Sequence, residues 1–285
     1  MTSFAPSGSA QIAYDDEGSG PPVLLLHAGV TDRRSWRKVV DVLLPTRRTL
    51  AFDQRRFGET TYIPESHSTP ADALAVLDHA GVDEPVAVVG CSMGGTAAMD
   101  LALLHPERVE RLVLMAPGVR VEGVYPDAVP DSWRDLAAAL EAAEEAGDLD
   151  EVNRLEAHLW LDGPTAPEGR VGGTARELFL AMNGRALAAG DPGEITGLPE
   201  VWEGLDRFSI PVLVLVGDLD VEEEQGAAEQ LTAMVPGARF ERLLDTAHLP
   251  QLEAHPRLLE VIADHLAWTA AALPRAGGGS MRGGS

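Results

Sequence analysis

Short apolar runs alternate along this chain with longer segments in which apolar residues recur every three or four positions. The runs lie at residues 23–27, 49–52, 86–90, 111–115, 212–217 and 238–243. Each is rich in Val and Leu and bounded by Gly, Pro or charged residues, the signature of a strand. Most are apolar at consecutive positions. A central parallel strand needs this, because helices cover both faces of its sheet. Helical periodicity fills the intervals at 35–44, 71–80, 94–104, 222–235 and 256–271. The alternation predicts an α/β fold with a doubly wound, mostly parallel sheet.

One segment breaks the rhythm. Between about 118 and 205 no strand pattern occurs, and 131–147, 149–161 and 173–189 all have helical periodicity. The expected organisation is a core formed by 1–117 and 206–272, a helical insertion at 118–205, and a flexible Gly/Ser-rich tail at 273–285. The insertion holds 18 acidic and 6 basic residues, a net −12. That charge reads first as a solvated outer face.

Composition narrows the function. The whole chain has 45 Asp plus Glu against 22 Lys plus Arg, a formal −23 over 285 residues. Such an excess repels phosphates, so nucleic acid and anionic membrane surfaces are not expected partners. It suits a neutral small-molecule substrate better than a polyanion. The single cysteine, Cys91, excludes an internal disulfide and a cysteine-only zinc cluster. No apolar stretch is long enough to span a bilayer, and residues 1–16 lack a basic region followed by an apolar run. The expectation is a soluble, cytoplasmic protein.

Candidate chemistry centres on Gly90-Cys91-Ser92-Met93-Gly94, between a predicted strand and a predicted helix. A G-x-S-x-G at such a corner is a nucleophile elbow. The serine occupies a strained turn, and the helix beyond it directs N–H groups toward a developing anion. Cys91 is in the wrong frame to replace Ser92, since Val89 stands where the first glycine would be needed.

A serine needs a base. Of eight histidines, His248 lies just past the last predicted strand, at the sheet end where ligand-facing loops collect. His67 and His79 are expected near the surface, and the others on or beside helices or loops in other roles. The base in turn needs a carboxylate. Asp218 and Asp220 both follow the strand at 212–217 and precede His248, the order Ser…Asp…His found with this elbow. Asp245 is better suited to capping a turn. For the oxyanion, one donor is the N–H of Met93, and a second is expected from the small-residue loop 27–30.

These residues together resemble the α/β-hydrolase superfamily across about residues 10–266. His27-Ala28-Gly29 is similar to the family's H-G-x loop, with Ala28 in place of Gly, which puts the second donor on Gly29. Asp53–Gly58 resembles its D-x-R-G-x-G segment, with Arg56 at the first glycine. Gly217–Asp220 is similar to its G-x-x-D, so the resemblance assigns the acid to Asp220. The stretch from His248 through Pro250 and Glu253 to Pro256 resembles its H-x-P-x-x-E-x-P, and the insertion resembles its helical cap.

The resemblance implies a serine hydrolase that cleaves a carboxylic ester or lactone through an acyl-enzyme, with no metal or organic cofactor. Carbon–carbon bond hydrolases, cofactor-free perhydrolases and hydroxynitrile lyases use the same triad. A non-catalytic ligand-binding receptor shares the fold. Val30, beside the oxyanion loop, and Trp133, Trp160, Phe179 and Met182 of the insertion are candidate substrate contacts. At helical spacing, packing is the competing reading for the insertion residues.

Overall fold

The computed structural model describes residues 1–118, 129–199 and 201–267. The tail expected at 273–285 lies outside them. Among the described residues eight strands form one sheet: β1 (Thr2–Ser7), β2 (Ala10–Gly18), β3 (Pro22–Leu26), β4 (Arg48–Phe52), β5 (Val86–Cys91), β6 (Val109–Met115), β7 (Val212–Gly217) and β8 (Arg239–Leu243), in the spatial order β1-β2-β4-β3-β5-β6-β7-β8. From β4 to β8 the pairing is parallel; β1 and β2 add an antiparallel margin. The six expected parallel strands are present, whereas β1 and β2 were not foreseen.

The uninterrupted apolar runs have a direct structural cause. Along the central strands, alternate side chains enter different cores. Leu24, Leu26, Val88, Leu112, Leu114 and Val214 belong to one buried cluster. It also includes side chains of α2 (Thr69–His79), α3 (Met93–Leu104) and α7 (Glu222–Met234). Val23, Leu25, Val89, Val113, Leu213 and Leu215 belong to the other, with α1 (Arg37–Leu43) and α8 (Pro256–Ala267).

Helices α4 (Arg134–Ala146), α5 (Leu149–Glu156) and α6 (Gly173–Leu187) come from the insertion. The predicted helix at 149–161 is not uniform: after α5 it widens into a π-helical turn, Ala157–Asp162. Such widenings often occur at functional sites. Ala157, Leu161, Phe179 and Met182 join the α1/α8-side cluster, so the insertion packs on the core.

Residue 205, the expected C-terminal end of the insertion, lies in the 3₁₀ turn Val201–Arg207, where Leu205 is fully buried in the other cluster. Just before it, the chain crosses a core loop: Glu194 O accepts from His67 N (2.9 Å), and His67 O accepts from Thr196 N (2.8 Å). His67, expected near the surface, is buried by this pairing. No described helix is long and apolar enough to cross a membrane.

Candidate active site

Strand β3 lies between β4 and β5, so the chain leaves it in one direction and later returns on its other side. Loops at the carboxyl ends of β3 and β5 therefore flank a topological switch point, where ligands bind in sheets of this kind. Residues 27–30 follow β3, and Ser92 follows β5.

Ser92 joins β5 to α3 with φ 51° and ψ −119°, a backbone conformation that costs energy for a non-glycine residue. The surrounding structure holds it there. Its N–H donates to Met115 O (2.8 Å), while its carbonyl accepts from Gly95 N (2.8 Å) and Thr96 N (3.0 Å). A Cβ at Gly94 would overlap the Leu26 carbonyl oxygen, and one at Gly90 would overlap Gly94's. Glycine at both positions is thus required for the corner to close. Ser92 itself is half-buried.

The sequence candidates for base and acid come together. The Nδ1–H of His248 donates to Asp220 Oδ2 at 2.8 Å; both residues are buried, at 2% and 4% exposure. The other Asp220 oxygen accepts from Val221 N (2.8 Å), and Gln225 Nε2 donates to the Asp220 carbonyl (2.7 Å), which fixes the acid loop. Asp218 does not bond His248. Burial pushes the His248 pKa down, but the charge and hydrogen bond of Asp220 outweigh it, and buried Glu224 adds to them. The imidazole is held above its ordinary value. No hydrogen bond joins the Ser92 hydroxyl to His248 among the described residues. Cys91, next to Ser92, is fully buried; burial and the charge of Asp220 push its thiol pKa up, so it stays a thiol.

The oxyanion candidates are also neighbours. Met93 is the first residue of α3, and its N–H has no partner within the helix. A Cβ placed on Gly29 would lie 3.8 Å from Met93 Cβ. The Ala28 carbonyl accepts from Thr31 N (3.0 Å) and the His27 ring (2.8 Å). The two ends of a trans peptide point in opposite directions, so the Gly29 N–H faces away from that cluster. His27 is neutral: burial lowers its pKa, and its Nε2 accepts from Gln54 N (3.0 Å). Its role is to anchor the loop.

The substrate candidates of the insertion separate. The Trp160 ring lies 4.7 Å from the His248 ring, tilted by 48°. Phe179 and Met182 are buried between insertion and core, where Met182 Sδ accepts from Asp32 N (3.4 Å). Val30 is half-buried against the same cluster. Trp133 precedes α4 and makes none of these contacts. Arg56 has φ 82°, the left-handed conformation that a glycine would adopt there, and its Nε donates to Ala186 O in α6 (3.1 Å).

Residues 21–255 match the model of a family described as the alpha/beta hydrolase fold. The chain belongs to the α/β hydrolase fold family. Among curated relatives it is 27% identical over 257 residues to a pimeloyl-[acyl-carrier protein] methyl ester esterase of Chromobacterium violaceum, covering 87% of this chain and 95% of that one. It is 32% identical over 134 residues to a 2-hydroxy-6-oxo-6-(2'-aminophenyl)hexa-2,4-dienoic acid hydrolase of Metapseudomonas resinovorans, covering 45% and 46%. Among solved structures of the fold, a thermophilic esterase from Thermogutta terrifontis superposes with a TM-score of 0.70 at 26% identity, over 93% of this chain and 97% of that one. Helices α4, α5 and α6 lie between β6 and β7 of this fold. Among its described residues no group of three or more His, Cys, Asp or Glu is arranged to hold a metal.

Three residues near the site escaped the sequence reading: Glu224, Arg170 and Glu253 as a partner of Arg170. Glu224 lies within the Glu222–Glu224 run that opens α7, where acids suit a helix N-terminus and nothing singles one out. The ion pair Arg170–Glu253 joins positions far apart in the chain, beyond any local pattern.

Proposed function

We propose that this protein hydrolyses a small-molecule carboxylic ester or lactone through an acyl-enzyme, with Ser92 as nucleophile, His248 as general base and Asp220 as the acid that orients it. The observation that carries this reading is the buried 2.8 Å bond between His248 and Asp220, together with the elbow whose Cys91 Sγ lies 3.5 Å from the His248 carbonyl oxygen and whose Ser92 has φ 51°. The family and its esterase relatives support it.

His248 Nε2 takes the Ser92 proton as Oγ attacks the carbonyl carbon. The carbonyl π electrons move to oxygen, and Gly29 and Met93 N–H groups stabilise the resulting anion. Collapse expels the alcohol, which receives its proton from His248. Water, deprotonated by the same imidazole, then attacks the acyl-serine and releases the acid. Asp220 keeps the proton on Nδ1 and stabilises the imidazolium. The Ser92–His248 hydrogen bond forms with substrate in place, as such bonds tighten in the Michaelis complex.

Hydrolysis of an oxo-dienoic acid by the same three residues is a second reading, favoured by the 32% identity to the Metapseudomonas enzyme. Purified protein assayed on p-nitrophenyl butyrate, a γ-lactone and an oxo-dienoic acid separates the two. Ester turnover that falls by about 10³-fold or more in folded Ser92→Ala supports the proposal. An alanine variant retaining a tenth of the rate rejects the serine mechanism, and turnover of the dienoic acid alone favours the second reading.

A further inference from the structure

Arg170, in the loop between the π-helical turn and α6, uses every donor of its guanidinium. Nε donates to Asp162 O (2.7 Å) and Nη2 to Leu161 O (2.9 Å), both carbonyls of that turn. Nη1 donates to Asp245 O (3.0 Å), in the loop that carries His248. The remaining two N–H groups hold Glu253 as a fork, at 2.7 and 2.9 Å. Five donors and five acceptors leave the planar group no other orientation.

Glu253 passes the constraint on. Its Oε1 also accepts from Thr246 Oγ1 (2.5 Å) and Ala247 N (3.1 Å), the two residues before His248. The Thr246 carbonyl accepts from Leu219 N (3.0 Å), which joins the acid loop to the same assembly. Trp160, whose ring lies 4.7 Å from His248, is on the turn held at Leu161 and Asp162. Arg170 thus connects the backbone on both sides of a single ring contact.

We propose that Arg170 is a positioning residue: by clamping the Trp160 turn to the His248 loop, it holds the indole against the imidazole. The inference rests on the reading of His248 as general base. When His248 takes the Ser92 proton, the resulting cation lies in a buried site with its ring centroid 4.7 Å from that of the indole, within cation–π range. Such contacts contribute a factor of about 10 or more when desolvated. The insertion is then part of the base's environment. The titratable groups acting on the His248 ring are Asp220 from the loop after β7 and Glu224 from α7; the Cys91 thiol of the elbow donates to the His248 backbone carbonyl (3.5 Å). Arg170 acts on it through Trp160 and the loop.

Two measurements test the proposal. The first is a kinetic cycle with wild type, Arg170→Met, Trp160→Ala and the double variant on p-nitrophenyl acetate. Each single change should lower kcat about tenfold with KM moved less than twofold, and the double variant should be no worse than Trp160→Ala. The second, an NMR titration of ¹³C-labelled histidine, reads His248 without substrate. Arg170→Met and Trp160→Ala should both lower its pKa. If Arg170→Met does not fold, Arg170→Lys replaces it, because lysine cannot form the fork and should show the same signs. An unchanged His248 titration in the folded arginine variant overturns the proposal, and so does an additive double variant. Loss of the ester-hydrolase reading appears separately, as wild-type protein inactive on every ester, and the titration still decides the role of Arg170.

Discussion

His248 and His265 are both buried, at 2% and 1% exposure, at opposite ends of the sheet. His248 lies beyond the carboxyl ends of β7 and β8. His265, on α8, is beside Arg111 and Arg239 at the amino ends of β6 and β8. Burial pushes both imidazoles toward the neutral form. At His248 the Asp220 carboxylate reverses that effect and raises the pKa. At His265 the two arginines reinforce it, and the pKa is pushed down to about 4. The same side chain at the same depth therefore holds a proton more readily than usual in one place and less readily in the other. Its charged neighbours decide which.

The largest effect should come from removing the neighbour at the carboxyl end. Asp220→Asn should lower kcat on the order of 10⁴-fold, because the amide no longer selects the Nδ1–H tautomer. Asp218→Asn should stay near wild type, since Asp218 makes no bond to the ring. A reversal of that ranking in steady-state assays on one ester moves the acid to Asp218.

At the other end the effect is on stability. The unfolded chain protonates His265 near 6.5, and the folded protein does so only near 4. Stability from this group is full above the unfolded value and is lost as pH falls through that window, by about 3 kcal/mol in all. Urea unfolding at several pH values should show His265→Leu losing less stability than wild type between pH 6.5 and 4. Equal slopes would mean that His265 titrates normally.

The pH profile of kcat/KM gives a smaller and more specific signal. The base must be neutral to accept a proton, so activity should fall with acid through an apparent pKa above the ordinary imidazole value of 6.5. An acid limb below 6.5 would break the contrast between the two ends. The smallest expected change is Arg239→Ala. This arginine is exposed, so solvent screens it, and its removal should raise the His265 pKa only slightly in the same NMR titration.

The sequence made the parallel core and the residues of the elbow legible because each rests on a local rule. Buried strands are continuously apolar, and the corner at Ser92 demands glycine at 90 and 94. The antiparallel margin was not legible for the opposite reason. In β1 only Ala5 is buried, so Thr2-Ser3-Phe4-Ala5-Pro6-Ser7 has no apolar run. The turn at Gly8, with φ 55°, was the available clue to a hairpin. The division of α5 from the π-helical turn leaves no trace in periodicity. The Arg170–Glu253 clamp joins residues separated by the whole of α6, β7, α7 and β8, and only the folded chain brings them together. The acid could be narrowed to two aspartates by position, and a family motif was needed to choose between them.

The insertion lies between strands that pair directly: Met115 is opposite Leu215, and Leu112 opposite Val212. The chain leaves the sheet at Met115 and resumes it at Val212, 97 positions later (212 − 115). Joining the ends of so long a loop costs only about 2 kcal/mol more than joining a ten-residue connection, because the penalty grows with the logarithm of length. Lengthening or exchanging this segment therefore adds little closure penalty to the core, provided that the replacement covers the apolar surface beneath Phe179 and Met182. The sheet and the helices α4 to α6 can accordingly change at different rates, and a grafted segment could be exchanged here with the elbow at Ser92 left unchanged.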